Sequence, residues 1–419
     1  MQPKHFRPER YEISHIGQQA YLSIFAARFN MLSFDNTEVA FSGKSASDLR
    51  RSYWLFKLVS SNNLVSFGKG FTNFAIGAHL PIKPFIKPTI FRQFCGGEDI
   101  HECLAAVESL GKHNVGSILD YSVEGMKTDA EFDATANEII ATIEEAKTNR
   151  HISFAVFKPT GICNIGLYEK AGAKASLSAD EQEAWKKLKG RYDAICKKAH
   201  DNNVQLLIDA EETWMQQAAD DLALEMMEKY NKERAIVFNT AQLYRKDRLE
   251  YIKRALKDAQ EKKYFLGLKL VRGAYMEKER ARASKMGYPS PINDTKADTD
   301  KLFDAALEYC VLNINAISIC AGTHNENSAK YLAELMKKNN IPNNHPHIWF
   351  SQLLGMSDHI SFNLANEGYN VAKYVPYGPV KNVLPYLIRR AQENTSVKGQ
   401  TGRELSLIIK EKQRRASAK

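Results

Sequence analysis

Residues 374–394 read YVPYGPVKNVLPYLIRRAQEN, and this stretch contains the strand–turn–helix unit from which the fold can be predicted. Its first residues end an apolar strand, the chain turns at Gly378 and Pro379, and a helix follows. The first turn of that helix tolerates Pro385, because early helical N–H groups have no partner within the helix. Polar side chains at helical spacing share one face of it: Tyr386, Arg389, Arg390 and Glu393.

The same alternation of a short apolar run with a helical segment occurs eight times along the chain. The apolar runs cover residues 117–123, 152–162, 204–213, 235–244, 264–275, 316–325, 347–356 and 369–378. Near-continuous apolar strands separated by helices are typical of a parallel sheet that is buried on both faces. We therefore predict an α/β fold in which eight units close into a (βα)8 TIM-type barrel, with an open doubly wound sheet as the alternative.

Three parts of the chain are expected on this basis. Residues 1–95 form an N-terminal extension and a helical arm, in which two helical segments between 45 and 79 precede a proline-rich break. The barrel covers residues 96–395, and residues 396–419 form a basic C-terminal helix or tail. The first 30 residues need not fold with the rest, because Met31 could be the true start of the protein.

Composition narrows the class of protein. The 419 residues carry a net charge of +9, and no apolar run approaches the length that a bilayer requires. Six cysteines lack CxxC spacing and histidine partners, which predicts reduced thiols and no metal site. For the basic tail, a solvated or packed helix end is the plainer interpretation and peripheral contact with anionic lipid is the alternative. We expect no nucleic acid partner.

In a barrel of this kind the active site lies at the C-terminal ends of the strands, so residues at those ends are the candidates. A strand-end lysine often extends to solvent and a strand-end aspartate often caps a helix, so any one of them alone has a structural explanation. Their coincidence at one rim favours a functional site. The candidates are Lys158, Asp209, Glu211, Gln242, Lys269, Arg272, Tyr275, Thr323, His324, Asn325, Gln352, Leu353 and Tyr374.

The side chains of this set indicate the kind of ligand. Its cations favour an anionic ligand, and they are Lys158, Lys269, Arg272, Arg389 and Arg390. An apolar wall beside them suits a small amino or imino acid, and it comprises Tyr275, Leu353, Tyr374 and Tyr386. No Ser or Cys stands in an evident triad with a His and an acid, and no acidic metal cluster is present. Asp209 would orient a lysine or compensate neighbouring cations.

Polar groups of the rim are of the sort that hold a large heteroaromatic cofactor: Gln242, Thr323, His324, Asn325 and the turn Arg272-Gly273-Ala274. Gly273 lets the backbone approach a ligand closely. A nicotinamide site of the Rossmann type is not expected, because the GxGxxG spacing that starts at Gly68 has Asn73 in place of its last glycine.

Six ordered motifs resemble those of the flavin-dependent proline dehydrogenases in their stand-alone form: IDAEET, KLVRGAY, GTHN, SQLLGM, YVPYGP and PYLIRRAQEN. The similarity covers about residues 35–394. It implies a distorted (βα)8 barrel with FAD at its C-terminal mouth and the eighth helix laid over the opening. The implied reaction is oxidation of L-proline to Δ1-pyrroline-5-carboxylate by hydride transfer from proline C5 to flavin N5, the first step of proline catabolism to glutamate. Electrons would pass to a membrane quinone.

The resemblance also implies roles for individual residues. Arg389 and Arg390 would bind the proline carboxylate, with Lys158 completing the pocket. Residues packed against the proline ring would be Tyr275, Leu353, Tyr374 and Tyr386, and Tyr374 would exclude hydroxyproline. FAD would contact Ala210, Gln242, Lys269, Arg272, Gly273, Ala274, Thr323, His324 and Glu393. We expect Asp209 and Lys269 to act in catalysis, although many relatives have Arg at the position of Lys269, which keeps the charge without the forked geometry.

Two other functions remain open from the sequence. A barrel aldolase or lyase could form a Schiff base on Lys158 or Lys269, and a non-enzymatic scaffold could bind anions through the C-terminal tail. The expected location is the cytoplasm, with peripheral contact at the inner membrane, or the mitochondrial matrix in a eukaryote. The lack of an appended aldehyde dehydrogenase half favours the stand-alone form.

Overall fold

Eight parallel strands close into a barrel in the order β1 to β8, with β8 hydrogen-bonded back to β1. The computed structural model describes residues 32–59, 83–123, 125–396 and 400–418. Residues 1–30 and the predicted helical segment at 64–79 lie outside the described residues. The strands are β1 Val115–Tyr121, β2 Ile152–Phe157, β3 Gln205–Ile208, β4 Val237–Gln242, β5 Leu266–Val271, β6 Ile317–Gly322, β7 Ile348–Leu353 and β8 Val371–Tyr377.

Each strand lies within one predicted apolar run or overlaps it, so the predicted (βα)8 barrel is confirmed. The runs are apolar because the strands are buried on both faces: β8, for example, has no exposed residue. Inside the barrel, the Phe154 ring meets Phe238 and Trp349 edge-on at centroid distances of 5.7 and 5.2 Å. These aromatic contacts fill the barrel interior below the mouth.

Helices surround the strands, and several begin at the caps that their sequences predict. Thr128 and Glu131 form a capping box, as do Ser178 and Glu181. The α-helices are α1 Thr37–Ala40, α2 Ala46–Val59, α3 Lys83–Ile86, α4 Arg92–Phe94, α5 Ile100–Gly111, α6 Asp129–Thr148, α7 Ile165–Gly172, α8 Ala179–Asp201, α9 Thr213–Tyr230, α10 Arg248–Lys262, α11 Met276–Met286, α12 Lys296–Leu312, α13 Glu326–Lys338, α14 Asp358–Asn366, α15 Val380–Ser396 and α16 Gln400–Ser417. A π-helical turn, Lys87–Phe91, joins α3 to α4, and a 3-10 turn, Pro159–Gly161, follows β2.

The C-terminal helix α16 packs against the N-terminal helices α1 and α2. Leu407 and Ile408 are buried in one cluster with Phe41 and Phe56. Burying each of these two aliphatic side chains stabilises the fold by about 1.5–3 kcal/mol. The Arg415 guanidinium adds hydrogen bonds to the carbonyl oxygens of the α1 end, including Phe41 O at 2.9 Å. The apolar stripe of the basic helix therefore serves packing.

Candidate active site at the barrel mouth

Lys269, Asp209 and Tyr374 form one polar group at the mouth of the barrel. The Lys269 ammonium donates to Asp209 Oδ1 and, at 2.6 Å, to Tyr374 Oη. Tyr374 Oη lies 3.3 Å from the same Asp209 oxygen, to which it donates. Burial, followed by the Asp209 charge, holds the pKa of Tyr374 well above its usual value. A protonated phenol that accepts from the lysine and donates to the aspartate satisfies all three groups.

The pairing explains how a lysine can lie inside the barrel. Lys269 is only 5% exposed, and an isolated ammonium at such a depth would be costly. Its charge is compensated by the Asp209 carboxylate, and it also lies 4.7 Å from the centroid of the Tyr374 ring. The sequence-predicted residues of strands three, five and eight are thus brought together.

A second cation of the predicted site, Lys158, is held by an acid that the sequence analysis missed. Lys158 follows β2 directly, and its ammonium lies 2.6 Å from Asp120 Oδ1 near the end of β1. Asp120 Oδ2 accepts a hydrogen bond from Ser122 Oγ. Burial alone would raise the pKa of Asp120, but the charge and hydrogen bond of Lys158 lower it. The signal was present, because Asp120 is the only charged residue of the first apolar run SILDYSV.

The helix α15 carries Arg389 and Arg390 and is anchored by apolar contacts. Val383, Leu384 and Leu387 lie in one buried cluster that also includes residues of the segment 91–95, and Leu353 of β7 packs against it. The turn into this helix needs Gly378, whose φ is +141° and where a Cβ would lie 2.9 Å from the Val123 side chain.

On α15, Arg390 and Tyr386 are buried, and Arg389 is half-buried. The Arg390 guanidinium carbon lies 5.1 Å from the Tyr386 ring centroid. Its charge also contributes to lowering the pKa of His324, which places Arg390 within electrostatic reach of the loop after β6. Glu393 belongs to the same helix, but its side chain falls outside the described residues.

Arg272 is fixed at the end of β5 by a planar set of contacts. Its Nε donates to Asp300 Oδ1 at 2.7 Å, and its two terminal nitrogens donate to Thr323 Oγ1 and Ser328 Oγ, each at 2.9 Å. The guanidinium also stacks at 4.3 Å from the centroid of the Phe303 ring. These contacts hold Arg272 and Thr323 next to each other at the rim.

At the same rim, Gln242 has unused hydrogen-bonding capacity and Gly273 forms a turn that packs closely against Tyr244. Gln242 is 2% exposed; its amide nitrogen lies 3.4 Å from Ala210 O, while its Oε1 accepts from no described residue. Gly273 has φ +118°, and a Cβ there would lie 2.6 Å from the Tyr244 ring. A larger residue would therefore disturb this turn. Ala274, which follows it, is exposed.

His324 is a neutral imidazole at neutral pH. Burial is the main cause that lowers its pKa to about 3, and the charges of Lys373, Arg390 and His359 act in the same direction. Its Nδ1 is 2.9 Å from Ser357 Oγ in the loop after β7. A neutral ring keeps one N–H donor and one acceptor nitrogen, which suits hydrogen bonding to an uncharged ligand edge.

Four of the candidate residues make their described contacts outside the Lys269, Asp209 and Tyr374 group. Glu211 turns to Thr160, from whose N and Oγ1 it accepts bonds at 2.8 and 2.6 Å. Asn325 caps α13 through Asn327 N, and Gln352 donates to Thr323 O at 3.0 Å. Tyr275 is half-buried just before α11, with the Lys278 ammonium 5.4 Å from its ring centroid. We assign the first three of these to supporting the rim.

Neither a metal-binding cluster nor a membrane-spanning helix occurs among the described residues. No group of three or more His, Cys, Asp or Glu side chains there is arranged to hold a metal ion. No helix in the described parts of the chain is both long and apolar enough to cross a membrane.

Comparison with known families matches residues 103–403 to the family model described as proline dehydrogenase. A relative from Dictyostelium discoideum, proline dehydrogenase 1, mitochondrial, is 33% identical over 432 residues, which cover 92% of this chain and 75% of the relative. Proline dehydrogenase 2, mitochondrial, of Arabidopsis thaliana is 33% identical, with 80% of this chain and 79% of the relative covered.

Among solved structures, proline utilization A from Bdellovibrio bacteriovorus, inactivated by N-propargylglycine, superposes with a TM-score of 0.67. The match covers 92% of this chain but only 38% of that protein, at 20% identity. At this identity the likeness concerns the fold, and it agrees with the closed barrel described above.

Proposed function

The chain belongs to the proline dehydrogenase family, and on that premise we propose that it converts L-proline to Δ1-pyrroline-5-carboxylate with FAD bound at the barrel mouth. Proline oxidation, an early step of proline catabolism, follows from the family itself. The cofactor, the product and the residue roles are the proposal. The observation that carries it is the Lys269, Asp209 and Tyr374 group at the barrel mouth, together with a helix that bears two arginines and whose buried cluster packs against Leu353 at the end of β7.

The residues of the rim fit a flavin. Gln242 Oε1 is a buried acceptor without a partner among the described residues, as expected of an atom that receives a hydrogen bond from a ring N–H. The turn at Gly273 needs glycine because of its positive φ and its close packing on the Tyr244 ring, and its backbone would lie beside the bound group. Residues that would hold FAD are Ala210, Gln242, Lys269, Arg272, Gly273, Ala274, Thr323, His324 and Glu393. When bound, FAD supplies the acceptor for the hydride that leaves proline C5.

Proline binding would depend on charge pairing and on an apolar wall. Arg389 and Arg390 on α15 would clamp the carboxylate, and Lys158, whose ammonium is held by Asp120, would add a third cation. The ring would pack against Tyr275, Leu353, Tyr374 and Tyr386. A clamped carboxylate would fix the orientation of C5, and cover by α15 would exclude water.

The chain's own groups would assist the reaction electrostatically. Lys269 would place a positive charge near the hydride acceptor, where negative charge would develop as hydride leaves the substrate. Asp209 keeps this ammonium oriented and compensated before the substrate binds. Neither residue needs to form a covalent bond. The Schiff-base alternative is not favoured, because Lys158 and Lys269 are each engaged with a carboxylate rather than presenting a free amine.

The visible spectrum of the purified protein tests this proposal. We expect absorbance bands of a flavin, bleached anaerobically by L-proline and restored by an electron-accepting dye. A protein that binds no added FAD, or whose flavin is not reduced by proline, would contradict the proposal. Trapping of a carbonyl substrate with borohydride would instead support the Schiff-base alternative.

We further propose a membrane quinone as the electron acceptor, which requires contact with a bilayer surface. A candidate surface is the outer face of α2, where Trp54 and Leu58 are 56% and 52% exposed one helical turn apart. The Lys57 ammonium lies 5.1 Å from the Trp54 ring centroid on this face. Exposed tryptophan beside cations suits an anionic bilayer interface.

The names of several relatives include "mitochondrial", which supports the matrix side of the inner membrane as the location.

A further inference from the structure

The C-terminal helix α16 sends two consecutive side chains to loops at the barrel mouth. Arg403 Nε donates to Glu326 Oε1 at 2.8 Å, at the start of the helix that follows β6. The carboxylate of Glu404 accepts a hydrogen bond from Ser357 N in the loop after β7. Arg403 is the last residue that the family model matches, so Glu404 falls outside it.

Ser357 connects Glu404 to His324. Its N–H points to the Glu404 carboxylate, and its Oγ lies 2.9 Å from His324 Nδ1. Ser357 has φ +51°, a left-handed conformation that a residue other than glycine adopts only when its surroundings hold it there. The acceptor on α16 is one of the groups that hold this conformation.

Other contacts fix the preceding residues of the same loop. Lys373 donates to Met356 O at 2.7 Å, and the Gln93 side chain donates to Gly355 O at 2.9 Å. The loop is thus held from β8, from α4 and from α16. Of these anchors, Glu404 is the one that bonds the residue in direct contact with His324.

Stability alone does not account for a carboxylate at this position. Glu404 is 3% exposed, and burial is the first cause that raises its pKa. Among the described residues, the basic group paired with it is His359 Nδ1 at 3.9 Å, which is too far for a hydrogen bond. A buried carboxylate without a close ion pair costs free energy, and an apolar side chain of similar size would pack here at less cost.

Glu411, two turns further along the same helix, provides the contrast. It is also buried, but it pairs with Arg414 and Arg415 of its own helix at 2.8 and 2.6 Å. The carboxylate at 411 therefore bonds within α16 and to Thr37 of α1, whereas the carboxylate at 404 bonds a loop at the barrel mouth.

We infer that Glu404 is a positioning residue that, through Ser357, fixes the imidazole of His324 on the cofactor side of the mouth. Arg403 bonds Glu326 just after the loop that follows β6, so α16 joins the loop that carries His324 to the loop that contacts it. The inference rests on the proposed function, because it takes His324 as a contact of FAD. The helix that follows the arginine-bearing α15 thereby becomes part of the active-site framework.

Glu404→Ala tests the inference with two measurements on the protein freed of FAD. The first is amide hydrogen exchange of residues 354–359, and the second is the dissociation constant of FAD, from quenching of flavin fluorescence. We expect exchange in the loop to accelerate about tenfold and FAD binding to weaken about tenfold, as loss of one charge-assisted hydrogen bond implies. Glu404→Gln keeps an acceptor oxygen and should stay within about threefold of the natural protein in both measurements.

Glu411→Ala is the matched control, because it removes a buried carboxylate of the same helix that does not contact the loops. It should leave both measurements unchanged even where it lowers the melting temperature. Equal effects of Glu404→Ala and Glu411→Ala would overturn the inference, as would no effect of Glu404→Ala.

Ser357→Ala covers the case in which Glu404→Ala does not fold. It removes the hydroxyl that contacts His324 and keeps the N–H that Glu404 accepts. We expect weaker FAD binding with unchanged exchange in the loop, and unchanged FAD affinity would contradict the role given to Ser357. If the natural protein binds no FAD, the proposed function fails, while the exchange measurement still decides whether Glu404 holds the loop.

Discussion

Lys269 Nζ and Tyr374 Oη lie 2.6 Å apart although they are 105 residues apart in the chain and stand on β5 and β8, which are not neighbours in the barrel. The two side chains therefore meet across the barrel interior, and both contact Asp209. Changing any one of the three alters the surroundings of the other two, since a polar network of this kind acts as a unit. We therefore expect the geometry of the Lys269, Asp209 and Tyr374 group to change when a single polar atom of it is removed.

Tyr374 has a hydroxyl that bonds Lys269 and a ring that would limit the space around the substrate. Removing only the hydroxyl should separate these two roles. In Tyr374→Phe the ring remains, so we expect the preference for proline over trans-4-hydroxy-L-proline to persist while kcat falls about tenfold, because Lys269 loses one hydrogen-bond partner. In Tyr374→Ser the space of the ring opens, and the ratio of kcat/KM for hydroxyproline to that for proline should rise at least about tenfold.

Steady-state assays of both variants with the two substrates provide the measurement. A Tyr374→Phe variant with full activity would show that the hydroxyl is dispensable. A Tyr374→Ser variant that still rejects hydroxyproline would show that another side chain limits the space around the substrate ring.

The fold was predictable because its signals are local. Alternation of apolar runs with helical segments is visible in the sequence, and each run contains or overlaps one observed strand. The ends of the runs were less informative. The second run extends to residue 162, whereas β2 ends at Phe157 because Pro159 starts a 3-10 turn that cannot continue the ladder.

Contacts of the site that depend on distant pairs could not be predicted. The bond between Lys158 and Asp120 requires the register of β1 on β2, which places Asp120 opposite Val156, two residues before Lys158. The contact of Glu404 with Ser357 depends on where α16 packs, and the sequence of α16 does not indicate that position. Strand-end position identified candidates, but only the register and the packing show which of them meet.

Removing either arginine of α15 should weaken proline binding. For Arg389→Met and Arg390→Met we expect the KM for proline to rise about tenfold or more, because each guanidinium would lose a charge-assisted bond to the carboxylate. FAD should remain bound in both, as judged by the visible spectrum. Lys381→Met, which removes an exposed charge from the same helix, is the matched control and should leave the KM unchanged. Unaltered proline kinetics in either arginine variant would refute the clamp.

Glu211 should make stability depend on pH. Burial raises its pKa from 4.5 to about 7, so the folded protein binds a proton that the unfolded chain releases. Its contribution is therefore fully present below about pH 4.5 and is lost as the pH rises through about 7. In Glu211→Gln, which cannot ionise, the free energy of unfolding relative to the natural protein should increase by up to about 3 kcal/mol over this range. Urea unfolding at a series of pH values measures the difference, and a difference independent of pH would contradict the prediction.

The outer face of α2 should mediate binding to anionic bilayers. In Trp54→Glu combined with Leu58→Glu, an apolar face acquires two negative charges, so we expect sedimentation with phosphatidylglycerol vesicles to be lost while reduction of a soluble dye by proline is unchanged. Leu312→Glu introduces a charge at another exposed leucine, 65% accessible on α12, and should still sediment. Equal vesicle binding of the natural protein and the double variant would exclude this face.

Asp120 and Lys158 should be strongly coupled in stability. Their bond is mostly buried, with 17% of the Lys158 side chain and 6% of the Asp120 side chain exposed, so Asp120→Asn takes the carboxylate away from the ammonium and Lys158→Met takes the ammonium away from the carboxylate, each at a cost of up to about 3 kcal/mol. The double variant leaves neither charge uncompensated, and it should be destabilised by clearly less than the sum of the two single changes. Urea unfolding of the four proteins measures this coupling.

The pair Lys198 and Glu144 has the same 2.6 Å separation but is exposed, so the same cycle there should give a much smaller coupling. Additive effects at Asp120 and Lys158 would show that Lys158 does not depend on this aspartate, and the cation would then need another anchor to face a substrate carboxylate.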